Sequence, residues 1–205
     1  MTEGRPRHVP PEIDDTVREL AAAAQYDEAT ALVIHRFGPE IMGLLVALCH
    51  HDSQAGDAYS LFCEKVWKAL PAFRFDASVR TWAYVLARRA MADVKRSDAR
   101  RPHGGGASPS QLPDLCERAR SETQSFVKTT RKLELRELRA ELSEDDQLLL
   151  VLRIDRELPW DAIARVFESS VPGETAPAAA TLRKRFQRAK LRLATALRAR
   201  RGDHD

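Results

Sequence analysis

The sequence predicts an all-α protein made of two small helical domains joined by a flexible linker. Three observations carry that expectation. Ala, Leu, Arg and Glu are plentiful while aromatics are only 6% of the 205 residues, a balance that favours helices over sheet. Apolar residues recur at three- and four-residue spacing through most of the chain. Residues 101–113, RPHGGGASPSQLP, hold three consecutive glycines and three prolines, which neither continue a helix nor bury much surface. The expected units are residues 1–100, the linker 101–113, and residues 114–205.

In the first unit, Ile13, Val17 and Leu20 have helical spacing, and a second segment runs from Asp27 to about Phe37. Gly38-Pro39 punctuates that segment, and Pro39 suits the first turn of a new helix through Ile41, Leu44, Leu45 and Leu48. A helix beginning near Asp57 carries Leu61, Phe62, Val66 and Leu70 up to Pro71. The loop Pro71–Ala77 exposes Phe73, Arg74, Phe75 and Asp76, and Ser78 is placed to cap the next helix. On that helix, about 79–97, Val79, Trp82, Ala83, Leu86, Ala90 and Val94 share the inward face. Thr81, Tyr84, Arg88, Ala92 and Lys95 share the outward one, with Arg89 and Arg96 on its flank.

The second unit opens with a mixed-charge helix from roughly Glu117 to Leu142. Ser143 and Asp146 have capping-box spacing before a helix that buries Leu148, Val151 and Leu152. Pro159 starts another, with Ile163, Val166 and Phe167 inward. After the irregular ESSVPGETAP, Thr181 opens a helix whose buried stripe is Leu182, Phe186, Ala189, Leu193 and Leu197. Arg183, Lys184, Gln187, Arg188 and Lys190 point away from that stripe, with Arg185 and Arg192 at its edge. A short helix, a turn and a longer basic helix form the helix-turn-helix pattern, whose second helix enters the major groove. Trp67, Trp82 and Phe186 are expected in the core.

Charge is distributed unevenly. Residues 1–79 carry seven basic and twelve acidic side chains, whereas 80–101 carry seven basic and two acidic. Residues 181–201 carry nine basic and no acidic ones. Two basic segments in different units suit two nucleic-acid contacts, since clustered Lys and Arg displace counterions from phosphates and a tether strengthens paired binding.

Other functions find little support. Cys49, Cys63 and Cys116 form no CxxC and no disulfide framework. Cys49-His50-His51-Asp52 are adjacent, so on a helix their side chains diverge by about 100° per residue and do not converge on one metal. No glycine-rich phosphate loop, nucleophile elbow or convergent acid–base set is present, so neither catalytic residues nor a cofactor is expected. No run reaches the ~20 apolar residues of a membrane span. Arg5, Arg7, Pro10 and Pro11 lead into no apolar stretch, which is unlike a signal peptide. The expected setting is cytoplasmic, without membrane insertion.

The segment DAYSLFCEKVWKALPAFRFDASVRTWAYVLARRAMADVKR, residues 57–96, resembles region 2 of bacterial sigma factors of the extracytoplasmic-function group. LSEDDQLLLVLRIDRELPWDAIARVF, followed by TLRKRFQRAKLRL, resembles their region 4. The two resemblances cover about two-thirds of the chain in the family's order. They imply a promoter-specificity subunit whose partners are core RNA polymerase and promoter DNA, often held in check by an anti-sigma factor. By the same resemblance, Asp57, Ser60, Leu61 and Glu64 face core polymerase. Phe75, Asp76, Ala77 and Ser78 capture an unstacked −10 base. Arg80, Thr81, Tyr84, Arg88, Arg89, Lys95 and Arg96 complete the −10 surface. Thr181, Arg183, Lys184, Arg185, Gln187 and Arg188 face the −35 element. Capture of an unstacked base requires a small pocket with aromatic or polar walls, which agrees with the loop's composition.

Two departures from the family pattern stand out. The acidic-pair helix reads Ala55-Gly56-Asp57-Ala58-Tyr59-Ser60-Leu61, one carboxylate and one amide short, and the turn before Thr181 is about eight residues longer. The rival reading is a helix-turn-helix regulator that acts without polymerase. It accounts for the C-terminal unit and leaves the loop and tryptophan of residues 71–82 unexplained.

Overall fold

A computed structural model describes residues 11–49, 51–100, 142–168 and 177–202. These residues are all-α, with no strand among them, and they fall into two units on either side of the gap at 101–141. The glycine-rich linker, the helix expected over 117–142, Cys116 and most of the long turn before Thr181 lie outside the described residues.

The N-terminal unit is built from α1 (Pro11–Ala22), α2 (Tyr26–Leu48), α3 (Asp52–Ala69) and α4 (Val79–Arg100). Pro11 occupies the first helical position of α1, and Glu12 and Asp14 complement the positive end of its dipole. Gln25 N–H donates to Leu20 and Ala24 N–H to Ala21, the paired bonds of a Schellman turn. Ala24 holds φ 58° there, where glycine is the usual residue.

α2 corrects the expectation of a break at Gly38-Pro39. The helix runs unbroken for 23 residues with Pro39 inside it. Proline removes one backbone hydrogen bond, but Val33, Ile34, Phe37, Gly38, Ile41, Met42, Leu44 and Leu45 are buried on both sides of it. That burial keeps the segment helical. α2 is also long and apolar enough to cross a membrane, contrary to the sequence expectation. Its apolar residues instead form the core of the unit, packed against α1, α3 and α4.

α3 starts at Asp52, five residues before the expected position, and buries Ala55, Ala58, Tyr59, Phe62, Cys63 and Val66. A short 3-10 turn at Leu70–Ala72 ends it at Pro71. α4 receives α1, α2 and α3 around its circumference. Its buried arc is therefore wider than one stripe: Val79, Arg80, Thr81, Ala83, Tyr84, Leu86, Ala87, Ala90, Met91 and Val94 are all buried.

The C-terminal unit contains α5 (Glu144–Leu150), a π-helical turn at Val151–Asp155, α6 (Trp160–Phe167) and α7 (Ala179–Gly202). Ser143 Oγ accepts the Asp146 N–H at 3.3 Å, the cap expected from the spacing. Leu148, Val151, Leu152, Ile163, Val166, Phe167, Leu182, Phe186 and Ala189 form the core, and the Trp160 ring meets Phe186 edge-on at 5.5 Å. α7 packs on both α5 and α6.

Candidate nucleic-acid interface

The loop between α3 and α4 is a built structure. Phe73 stacks on the Trp82 indole with ring centres 4.5 Å apart and an 18° tilt, and meets Phe75 at 4.4 Å. The two phenylalanines are thus half-buried in an aromatic cluster, Phe73 stacked and Phe75 tilted, whereas Arg74, Asp76 and Ser78 are exposed and Ala77 is half-buried. The expectation that all of Phe73 to Asp76 stand in solvent is corrected accordingly. Phe75 holds φ 55°, a left-handed backbone that is costly for a bulky residue. Ser78 caps α4 as expected, its Oγ accepting the Thr81 N–H at 3.1 Å and lying 2.8 Å from Thr81 Oγ1.

Two contacts come from α1, which sequence reasoning did not connect to the loop. Asp14 Oδ1 accepts the Val79 N–H at 3.0 Å, and the Arg18 guanidinium lies 5.1 Å from the Phe75 ring centre. Burial pushes the Asp14 carboxyl above its ordinary pKa, against the lowering effect of the Val79 bond and of Arg18. The acid at Asp14 is visible in the sequence, but no local pattern joins it to a helix start 65 residues on.

α4 divides the residues expected at −10 into two sets. Arg80, Thr81 and Tyr84 are buried, which corrects the expected outward placement of Thr81 and Tyr84 and sets Arg80, assigned to −10 by the resemblance, within the unit. Arg80 makes a two-point ion pair with Glu40 of α2, through Nε at 3.2 Å and through Nη2, and its guanidinium lies over the Tyr84 ring. Burial lowers the Arg80 pKa, and the Glu40 carboxylate outweighs it and holds the group charged. The physical cause is the three-sided packing of α4, which turns its first two turns into core. Arg88 and Lys95 are half-exposed, and Arg89 and Arg96 are exposed. Arg96 pairs with Asp93, which also binds Lys65 Nζ at 2.7 Å.

On α7, Thr181, Arg183, Lys184, Gln187 and Arg188 are exposed opposite the Leu182, Phe186 and Ala189 stripe, as the periodicity requires. Arg185 differs. Its Nε donates to Asp146 at 2.5 Å, and its other nitrogens reach Asp145 at 3.2 Å and Ser143 Oγ at 3.3 Å. Burial lowers the Arg185 pKa and the two aspartates outweigh it. Arg185, expected at the edge of the stripe and at −35 by the resemblance, therefore ties α7 to the start of α5. Asp146, Arg185, Arg188 and Arg192 line a shallow recess beside it.

The α3 residues Asp57, Ser60, Leu61 and Glu64 follow helical spacing on one half-exposed face. Glu64 pairs with Lys68 at 2.5 Å. Trp67 continues that face: it is 39% exposed rather than core, and its indole N–H donates to Asp27 at 3.2 Å. Among the described residues no group of His, Cys, Asp or Glu is placed to hold a metal, and Cys49 and Cys63 are buried thiols.

Residues 33–101 match the family described as Sigma-70 region 2, a span that takes in most of α2, all of α3, the loop and α4. The chain is 27% identical to RNA polymerase sigma factor YlaC of Bacillus subtilis (strain 168) over 128 residues, 62% of this chain and 72% of that relative. The family match takes in the stacked loop and the basic α4, and the two likenesses together support a sigma factor of the extracytoplasmic-function type, with DNA binding in transcription initiation.

Proposed function

We propose that the protein binds core RNA polymerase, recognises −10 and −35 promoter elements and promotes opening of the duplex between them. The carrying observation is the loop at 73–78, whose packed aromatics and exposed Arg74, Asp76 and Ser78 lead directly into α4, the helix that carries Arg88, Arg89, Lys95 and Arg96 further along. Aromatic faces with adjacent polar groups are what recognition of an unstacked base needs. In this reading Phe75, Asp76, Ala77 and Ser78 take the base, and Arg88, Arg89, Lys95 and Arg96 hold the neighbouring phosphates. Arg80 and Tyr84 shape the surface from beneath.

The C-terminal unit serves the −35 element through Thr181, Arg183, Lys184, Gln187 and Arg188, which sort into base-edge and phosphate contacts. Residues 1–100 act on polymerase and −10, 114–205 act on −35, and 101–113 tether them. The α3 face of Asp57, Ser60, Leu61 and Glu64 meets core polymerase, and an anti-sigma factor that covered it would block assembly. The protein works in the cytoplasm, where its partners are.

Run-off transcription with purified core polymerase on a set of genomic promoters tests this. Defined start sites that depend on the protein are expected. DNA binding without core association, and no transcript from any promoter, would instead make it a regulator that acts without polymerase.

A further inference from the structure

α1 lies before the segment that matches Sigma-70 region 2, yet it holds the loop at two points. Asp14 takes the Val79 N–H immediately after the loop, and Arg18 lies over Phe75 in its middle. A bulky residue in the left-handed region persists only where its surroundings over-determine it. For Phe75 those surroundings are the Phe73 ring, itself stacked on Trp82, and the Arg18 guanidinium. Arg18 is held in turn by Asp15, whose Oδ1 accepts from Nη1 at 2.9 Å. The loop is therefore clamped from α4 by an indole and from α1 by a cation and a carboxylate.

We infer that Arg18 and Asp14 are positioning residues for base selection: by fixing Phe75 and the start of α4, α1 sets which −10 base the loop accepts. The inference rests on the assignment of residues 73–78 to base capture. It differs from a phosphate contact by Arg18, which would weaken all sequences alike and reduce the salt dependence. It also differs from a purely structural role, which would lower −10 and −35 binding together.

The test uses holoenzyme assembled with the full chain and a single-stranded pool randomised through the −10 element. Melting temperature and −35 duplex binding are measured for every variant. Arg18→Ala should flatten the preference at the captured position by about two- to fivefold, the range a cation–π contact supplies at a partly exposed site, with the salt slope unchanged. Arg18→Lys should restore most of it. Asp14→Ala should flatten it as well, and Asp14→Asn, which keeps an acceptor oxygen, should not. Phe75→Ala and Asp76→Ala in the loop itself serve as the reference.

If the loop variants change the preference and Arg18→Ala does not, the role of α1 is wrong and base capture stands. If neither set changes it, both fall. A loss with Arg18→Ala that is equal for all bases, or shared by −35 binding, also overturns the inference.

Discussion

The resemblance assigns Arg80 and Arg185 to DNA, yet each is bound to carboxylates from another helix. Charge and helical position alone do not distinguish a cation facing phosphate from one closing an interface, because the partner lies 40 residues away in one case and 39 in the other. Ser78 and Ser143, by contrast, were legible as caps because both partners lie within three residues. Ala24 lies between these extremes: no glycine marks the end of α1, and the Schellman bonds reveal a left-handed alanine there. Ala24→Gly should raise stability by roughly 1 kcal/mol, the order of the left-handed penalty it removes, as read by urea denaturation. Asp93 gives a pH test. Burial raises its pKa, and Lys65 and Arg96 outweigh that and hold it below the ordinary 3.8. A depressed carboxylate contributes stability that is complete above the unfolded pKa and is lost as pH falls through the folded one. Asp93→Asn should therefore cost a fraction of about 1 kcal/mol at pH 7, given the exposure of the pair, and the gap to the parent should close below pH 3.8. Denaturation curves at the two ends of that range decide it.

At the scale of the element, periodicity located α1, α3, α4, α6 and α7 but not how many sides of each are covered. α7 contacts its unit along one stripe, so its exposed residues were read correctly from spacing. α4 is covered by three helices, so Thr81 and Tyr84 were placed outward and are buried. The same crowding explains the unbroken α2, where burial around Pro39 overrides the local signal to stop. Trp67 errs in the other direction, since its indole was assigned to the core by residue type and lies on the surface beside Asp27. The two faces of α4 should separate in experiment. Arg80→Ala leaves Glu40 without its buried partner and should cost about 3–5 kcal/mol of stability. Arg89→Ala, at an exposed position, should leave the melting curve within about 0.5 kcal/mol and weaken promoter binding with a smaller salt slope. Equal effects of the two on stability would contradict the placement of α4.

On the scale of the whole molecule, the two basic segments and the region 2 resemblance are visible in the sequence because neither depends on long-range contacts. The contribution of α1 was not, since a carboxylate 65 residues before its N–H partner leaves no periodic trace. The division of labour proposed for the two segments has a consequence that a single DNA-binding surface would not share. Under that proposal α7 contacts would act on duplex at −35, where no base pair has to open, whereas the loop would act on a base that must first leave the stack. Unstacking and unpairing cost a few kcal/mol on a duplex and much less where the strands are already apart. Lys184→Ala and Arg188→Ala should therefore reduce transcription by similar factors from duplex promoters and from templates pre-melted at −10. A base-reading α7 residue should also lose about 1–3 kcal/mol of discrimination at one −35 position. Substitutions at Phe75 or Asp76 should impair duplex templates more than pre-melted ones and shift the −10 preference, with −35 binding intact. Parallel run-off assays on the two template forms give both ratios in one experiment. Loop variants that lose activity equally on duplex and pre-melted templates, with −10 preference unchanged, would remove base capture from residues 75–78 and leave promoter opening to some other surface.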